Sequence, residues 1–177
     1  MKILSTVFLL LVTSFRLADG FYGLSFTTVD GAKVAMSTLA GKKVILFAIN
    51  GSHPDLTTLR YVDSIGVQDQ DSVAVLAFPA LDLDSTATSP ALSRMRDSLG
   101  LHLLIAQPVW VQKGAGAGQD PVFQWLTSIS QNGHFNRDVE EEGQLFVVSR
   151  HGMLYSIVNR NMVHAILTNV INTGVRE

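Results

Sequence analysis

Two uninterrupted apolar runs constrain the fold of this chain more than any other feature. They are Val44–Ile49 and Val73–Phe78, each six residues long and each containing β-branched side chains. A strand with one face in water alternates apolar and polar residues, whereas these runs do not alternate. They therefore predict two central strands of one sheet that are buried on both faces.

The segment between the two runs has the pattern of an amphipathic helix. Asp55 is placed to cap the N-terminus of this helix, and Asn50–Pro54 form the turn that separates the first strand from it. The apolar residues at helical spacing are Leu56, Leu59, Val62 and Ile65. A strand, a helix and a second strand in this order predict two parallel strands joined by a crossover helix.

The rest of the chain adds more strands and helices. In chain order these are a hairpin over 25–36 with a two-residue turn at Asp30-Gly31, a helix opened by Ser89-Pro90 with Ser89 as its cap, an edge or loop segment at 103–111, a glycine-rich loop at 114–118, a helix from Pro121 to Ile129, a hairpin over 144–158 and an amphipathic helix from Met162 to Ile171. This order predicts one α/β domain with a central mixed sheet and helices on both faces, in a thioredoxin-like layout.

The N-terminal residues have the pattern of a secretory signal peptide. Lys2 precedes an apolar run over Ile3–Phe15, and Ala18-Asp19-Gly20 provides the small residues at which a signal peptidase cuts. The run is shorter than the roughly 20 residues that span a bilayer. We therefore predict a signal peptide at 1–20, a mature domain at 21–177 and a secreted or periplasmic location with no stable membrane anchor after cleavage. An uncleaved anchor helix is the alternative.

The amino-acid composition excludes several classes of function. The 177 residues include no cysteine, so disulfides, thiolate metal sites and cysteine nucleophiles are all excluded. The formal net charge of −2 argues against a nucleic-acid partner, because such binding is driven by neutralising phosphates with basic side chains.

Three stretches together resemble the glutathione peroxidase family. They are 41–49 followed by Leu56-Thr57, then Leu76-Ala77-Phe78-Pro79, and then 120–126 ahead of 145–148. Their order and spacing match the family from about Leu24 to Val170. The helix opened by Asp120-Pro121 is the most discriminating of them, because other thioredoxin-like proteins do not have it in this loop. The resemblance implies a thioredoxin-like fold.

The resemblance also implies where the family's reactive site would lie. These enzymes reduce peroxides with a cysteine or selenocysteine at the start of the helix after the first long strand, surrounded by a glutamine, a tryptophan and an asparagine. In this chain the nucleophile position falls on His53 or Pro54, and the glutamine position on Asp82. The tryptophan and asparagine positions fall on Glu141 and Glu142. Thiol peroxidase activity is therefore not expected.

Three functions remain open from the sequence. The first is a non-catalytic binding or accessory module that needs no cofactor and binds an unknown protein or small molecule through the remnant pocket or the loop 101–119. The second is a divalent-metal site or a metal-assisted enzyme at the substituted pocket, because imidazole and carboxylate groups suit zinc, iron or manganese. Its ligands would be His53, Asp82, Glu141 and Glu142. The third is a peroxide-handling protein that acts with a partner thiol.

Overall fold

The computed structural model describes residues 20–173, which fold around a five-stranded sheet. A separate two-stranded antiparallel ribbon is formed by β1 and β2. The strands are β1 (Ser25–Thr27), β2 (Lys33–Ala35), β3 (Lys43–Ile49), β4 (Val73–Pro79), β5 (Leu104–Ile105), β6 (Leu145–Val148) and β7 (Leu154–Val158).

Four helices lie between strands of the large sheet in chain order, and a fifth follows its last strand. They are α1 (Leu56–Gln68), α2 (Ser89–Leu99), α3 (Pro121–Thr127), α4 (Ile129–Asn132) and α5 (Val163–Thr173). Short 3₁₀ turns lie at Phe21–Gly23, Met36–Leu39, Lys113–Gly118 and Arg160–Met162. Two boundaries differ by one residue from the prediction: Thr88 rather than Ser89 occupies the cap of α2, and Met162 belongs to the turn that precedes α5.

The large sheet is mixed, with the strand order β5-β4-β3-β6-β7. Strands β3, β4 and β5 run parallel, β6 runs antiparallel to β3, and β7 runs antiparallel to β6. The parallel pair β3 and β4 is joined through α1, as the sequence predicts. The thioredoxin-like α/β fold with a central mixed sheet is confirmed.

Strand β3 divides its side chains between two cores, one on each face of the sheet. Ile45, Phe47 and Ile49 pack with apolar residues of α1 and α5 on one face. Side chains from the alternate positions of β3 pack with α3 and the β1–β2 ribbon on the other face. Every residue of β3 is buried. This two-sided burial explains why the run does not alternate.

The first hairpin turns differently from its prediction. Its last paired residues are Thr27 and Lys33, so five residues, not the Asp30-Gly31 pair alone, form the loop. The reason is tertiary, because the loop is bound to the edge of the large sheet. Thr28 forms an isolated antiparallel β-bridge with Ala106, and the Val29 N–H donates to the Ile105 carbonyl over 2.9 Å.

The helix that Pro121 opens is shorter than predicted. It ends at Thr127, and the separate short helix α4 begins at Ile129, whose side chain is 51% exposed. The amide of Asn132 donates to the carbonyls of Trp125 (2.9 Å) and Leu126 (3.1 Å), which satisfies groups that a continuing helix would have used. The break is therefore stabilised by a buried asparagine.

Among residues 20–173, no helix combines the length and the apolar character needed to cross a membrane. The predicted signal peptide lies, apart from Gly20, outside the described residues.

Candidate functional site

The loop between β3 and α1 is organised by the side chain of Asn50. Its Oδ1 accepts hydrogen bonds from the backbone N–H groups of Ser52 (3.1 Å) and His53 (2.9 Å). This is the Asx turn with which asparagine reverses a chain. The loop leaves the central strand and leads into the first turn of α1, which is the position that the resemblance assigns to a peroxidase nucleophile.

Glu142 binds both ends of this loop from outside it. Its Oε1 accepts hydrogen bonds from the N–H of Asn50 (3.0 Å) and from the N–H of Asp55 (2.9 Å). Glu142 belongs to the segment before β6, 92 positions after Asn50 and 87 positions after Asp55. One carboxylate oxygen therefore closes the loop by a long-range contact.

The segment that carries Glu142 is fixed by the neighbouring Gln144. This residue is fully buried immediately before β6. Its Nε2 donates to the carbonyl of Asp138 (3.0 Å), and its Oε1 accepts from the N–H of Glu140 (3.1 Å). The N–H of Gly143 also holds the backbone of this segment, because it donates to the Ala48 carbonyl of β3 over 3.0 Å.

Asp55 caps α1, as predicted. Its Oδ1 accepts from the N–H groups of Thr57 (3.1 Å) and Thr58 (3.4 Å), and its Oδ2 accepts from the Thr58 hydroxyl (2.9 Å). Burial is the largest single influence on the pKa of Asp55 and raises it, but the hydrogen bonds from Thr58 and Thr57 together outweigh burial and leave the pKa below its ordinary value. The cap is therefore a carboxylate at neutral pH.

A second carboxylate clamp joins the loop to the segment after β4. The Ser52 hydroxyl donates to Asp84 Oδ2, and Asp84 Oδ1 accepts from the N–H (2.9 Å) and hydroxyl (2.6 Å) of Thr86. These hydrogen bonds, that from Ser52 first, lower the pKa of Asp84 to about 2. Gly51 lies so close to Ala87 that a Cβ at position 51 would collide with the Ala87 side chain.

Side-chain oxygens thus accept hydrogen bonds from N–H groups of the loop and of the first turn of α1. Six backbone N–H groups between Asn50 and Thr58 donate to Asn50, Asp55 or Glu142. A reactive thiolate at a helix N-terminus needs free N–H groups and positive potential. Here six of these N–H groups are taken, and the carboxylates of Asp55, Asp84 and Glu142 lie around the loop.

The two candidate nucleophile positions differ in exposure. His53 is exposed, and its imidazole has no hydrogen-bond partner within the described part of the chain. Pro54 is half-buried. Neither side chain can supply a thiolate.

Asp82 and Glu141 lie in two other hydrogen-bonded networks. Asp82 Oδ2 accepts from the N–H groups of Val111 (2.6 Å) and Gln112 (3.2 Å). Glu141 Oε1 accepts from the N–H of Arg160 (3.0 Å), and its Oε2 lies 3.8 Å from the Arg160 Nε. Each of these carboxylates stabilises a backbone turn of its own.

The four residues predicted as metal ligands are therefore not gathered into one cluster. Glu142 reaches the loop that contains His53, but Asp82 and Glu141 bind elsewhere. Over residues 20–173, no group of three or more histidine, cysteine, aspartate or glutamate side chains is arranged to hold a metal ion. Carboxylates engaged by backbone N–H groups are fixed in directions that those groups dictate.

The loop 101–119 presents a different surface. Trp110 is 42% exposed and borders an open hollow of about 460 Å³, which Asp82 and the turn at Gly114–Gly118 also line. Trp125 by contrast is buried in the core against Phe21, with ring centroids 5.2 Å apart.

Sequence reasoning missed the roles of Asn50 and Asp84. Local signals existed, because asparagine followed by glycine is a turn pair and an aspartate two residues before a threonine suits an Asx turn. No local signal indicated the long-range contacts, which are those of Ser52 with Asp84 and of Glu142 with the loop.

The sequence matches no protein-family model and no curated protein. The structure of this chain, by contrast, is similar to solved structures of other proteins. Trgpx in its apo form superimposes with a TM-score of 0.69 at 16% identity, covering 90% of this chain and 97% of that chain. GPX1 of T. cruzi gives a TM-score of 0.65 at 13% identity, covering 86% and 94%.

A peroxiredoxin has the same architecture. Peroxiredoxin Q of Xanthomonas campestris superimposes with a TM-score of 0.56 at 13% identity, covering 86% of this chain and 90% of that chain. Identities this low show a shared fold and leave activity open. The chain therefore has the thioredoxin-like fold that glutathione peroxidase-like proteins and peroxiredoxins share.

Proposed function

We propose that this chain is an exported, glutathione peroxidase-like protein that has lost thiol peroxidase chemistry and serves as a non-catalytic binding or accessory module. One observation carries the proposal. At the position of the family nucleophile, the chain has no sulfur, and six N–H groups of the loop and the first turn of α1 donate to Asn50, Asp55 or Glu142.

The hydrogen bonds of the β3–α1 loop and the missing cysteine together support the loss of peroxidase chemistry more strongly than the missing cysteine does alone. A single substitution could remove the sulfur and leave the rest of a reactive site in place. Here Glu142 and Asp84 add negative charge around the loop, which opposes the formation of a thiolate. The hydrogen bonds and the negative charge around the β3–α1 loop are those of a structural turn.

Export is supported by the signal-peptide pattern of residues 1–20 and by the place where the core begins. Phe21, the first residue after the proposed cleavage point, is only 1% exposed and packs into the core. Cleavage after Gly20 would leave the described core intact. A secreted or periplasmic location is part of the proposal.

The proposal is tested by measuring hydroperoxide consumption by residues 21–177, with glutathione and separately with thioredoxin as the reductant. We expect no rate above that of the reductant alone. Turnover by the chain would overturn the proposal, and turnover with only one reductant would establish the partner-thiol alternative instead. Stoichiometric bound metal that disappears in His53→Ala would establish the metal-site alternative.

A His53→Cys variant separates a missing sulfur from an altered environment. We expect its thiol pKa, followed by the pH dependence of alkylation, to stay at or above the ordinary value of about 8.5. Adding Glu142→Gln removes a nearby negative charge and should lower that pKa. A strongly depressed pKa in His53→Cys alone, together with peroxide turnover, would contradict the proposed loss.

A further inference from the structure

An open groove of about 650 Å³ lies between the β3–α1 loop and one face of α2. The α2 wall is formed by Ala91, Arg94, Met95 and Ser98, which share one helix face because their spacing is three or four residues. The opposite wall includes Leu56, at the start of α1. The groove therefore runs beside the loop that has lost its peroxidase character.

Apolar and polar side chains share the lining of the groove, and the apolar ones include Leu56, Met95 and Leu99. The sequence predicts Leu56 for the buried face of α1, but its side chain is 41% exposed at the groove. Met95 and Leu99 also line it and are half-buried. Exposed leucine beside further apolar side chains in a concave surface is typical of a binding site.

The groove walls are held in place before any ligand binds. Ser52 is hydrogen-bonded to Asp84, and Gly51 packs against Ala87, so the loop is attached to the segment that leads into α2. Leu92 is fully buried and anchors α2 to the core. A preformed groove binds with less loss of conformational entropy than a flexible one.

Among the side chains that line the groove, Arg94 carries the one permanent charge. Arg94 is exposed and makes no hydrogen bond or ion pair with any residue in the range 20–173, whereas Arg96 on the same helix is bound to Asp30 and Asp97. Asp84 and Asp55 do not line the groove, and their carboxylates accept hydrogen bonds from N–H and hydroxyl donors. The chain as a whole has a net charge of −2. An unpaired guanidinium in the groove nevertheless favours a ligand that carries an acidic group.

We propose that this groove binds an extended, acidic peptide segment of a partner protein. Apolar side chains of the peptide contact Leu56, Met95 and Leu99, and one of its carboxylates pairs with Arg94. A peptide fits better than a small molecule, because an open groove cannot enclose most of a small ligand's surface. The inference rests on the proposed role as a binding module and specifies its partner.

The experiment uses a fluorescein-labelled eight-residue peptide of alternating leucine and glutamate, with residues 21–177 as the receptor. A matched peptide has lysine in place of glutamate. We expect the glutamate peptide to bind at least about tenfold more tightly, and Arg94→Glu to weaken that binding by at least about tenfold. Arg150→Glu, which changes an exposed arginine in a different turn, should leave the affinity unchanged.

Chemical shifts of the wild-type protein locate the peptide without any variant. We expect the largest changes at the amides of Leu56, Arg94 and Ser98. Failure of the wild type to bind, equal binding of both peptides, equal effects of Arg94→Glu and Arg150→Glu, or changes confined to other residues would each overturn the inference. None of these results involves peroxide turnover, so the proposed function fails or stands separately.

Discussion

Strand β3 and the loop that follows it are held by opposite kinds of interaction. The strand is buried along its whole length, and six of its seven side chains are apolar. The loop from Asn50 to Asp55 is held by hydrogen bonds from its N–H groups to side-chain oxygens. Because burial of the strand does not depend on the chemistry of the loop, a reactive site there can be replaced while the fold remains.

The comparison predicts that the largest loss of stability will come from the strand. Leu46 is fully buried, and Leu46→Ala should lower the free energy of unfolding by about 2–5 kcal/mol, because it removes apolar contacts and leaves a cavity. Urea denaturation measures the change. Leu104→Ala is the control: Leu104 also belongs to a strand but is 38% exposed, so a smaller loss is expected. Equal losses in the two variants would contradict the comparison.

An intermediate effect is expected from the long-range contact of the loop. Glu142→Ala leaves the N–H groups of Asn50 and Asp55 without their acceptor and should lower the free energy of unfolding by about 1–3 kcal/mol. Glu142→Gln keeps an oxygen acceptor and should lower it less. Hydrogen exchange at the two amides, measured alongside denaturation, should accelerate in Glu142→Ala; unchanged exchange would show that the contact does not hold the loop.

The smallest effect is expected from Asp84, and it depends on pH. The pKa of Asp84 is about 2 in the folded chain and about 3.9 in an unfolded chain, so the unfolded form takes up a proton first as the pH falls. The contribution of Asp84 is fully present above pH 5 and is lost as the pH falls from about 5 towards 2. Solvent screening keeps it small, because the carboxylate lies at the surface.

The Asp84→Asn variant tests this assignment. Its melting temperature should fall less than that of the wild type between pH 5 and pH 2. The two chains should differ most at neutral pH and converge at the acid end. Parallel curves would show that the hydrogen bonds from Ser52 and Thr86 do not lower the pKa of this carboxyl.

The fold was predictable because its main signals are local. The unbroken apolar runs identify β3 and β4, and the spacing from Leu59 to Ile65 identifies α1. The five-residue length of the β1–β2 loop and the end of α3 were not predicted, since both depend on distant partners. Ile105 binds the loop of the hairpin, and Asn132 stops the helix.

The candidate site was predictable only in part. Asp55 carries a local capping signal, and its role is confirmed. Glu142 was placed near the loop through the family resemblance, but its hydrogen bonds to Asn50 and Asp55 were not predicted. A sequence indicates which side chains can accept a hydrogen bond, whereas the choice among acceptors depends on which segments the fold brings together.

The sequence by itself determined that no thiol chemistry can occur in this chain and that its central strands must be covered on both faces. Both conclusions follow from residue types and from their local order. The tertiary structure alone decided that Glu142 closes the loop, that Asp82 and Glu141 stabilise other turns, and that Leu56 faces a groove. These outcomes depend on contacts between residues far apart in the chain, and such contacts are set by how the sheet and helices pack.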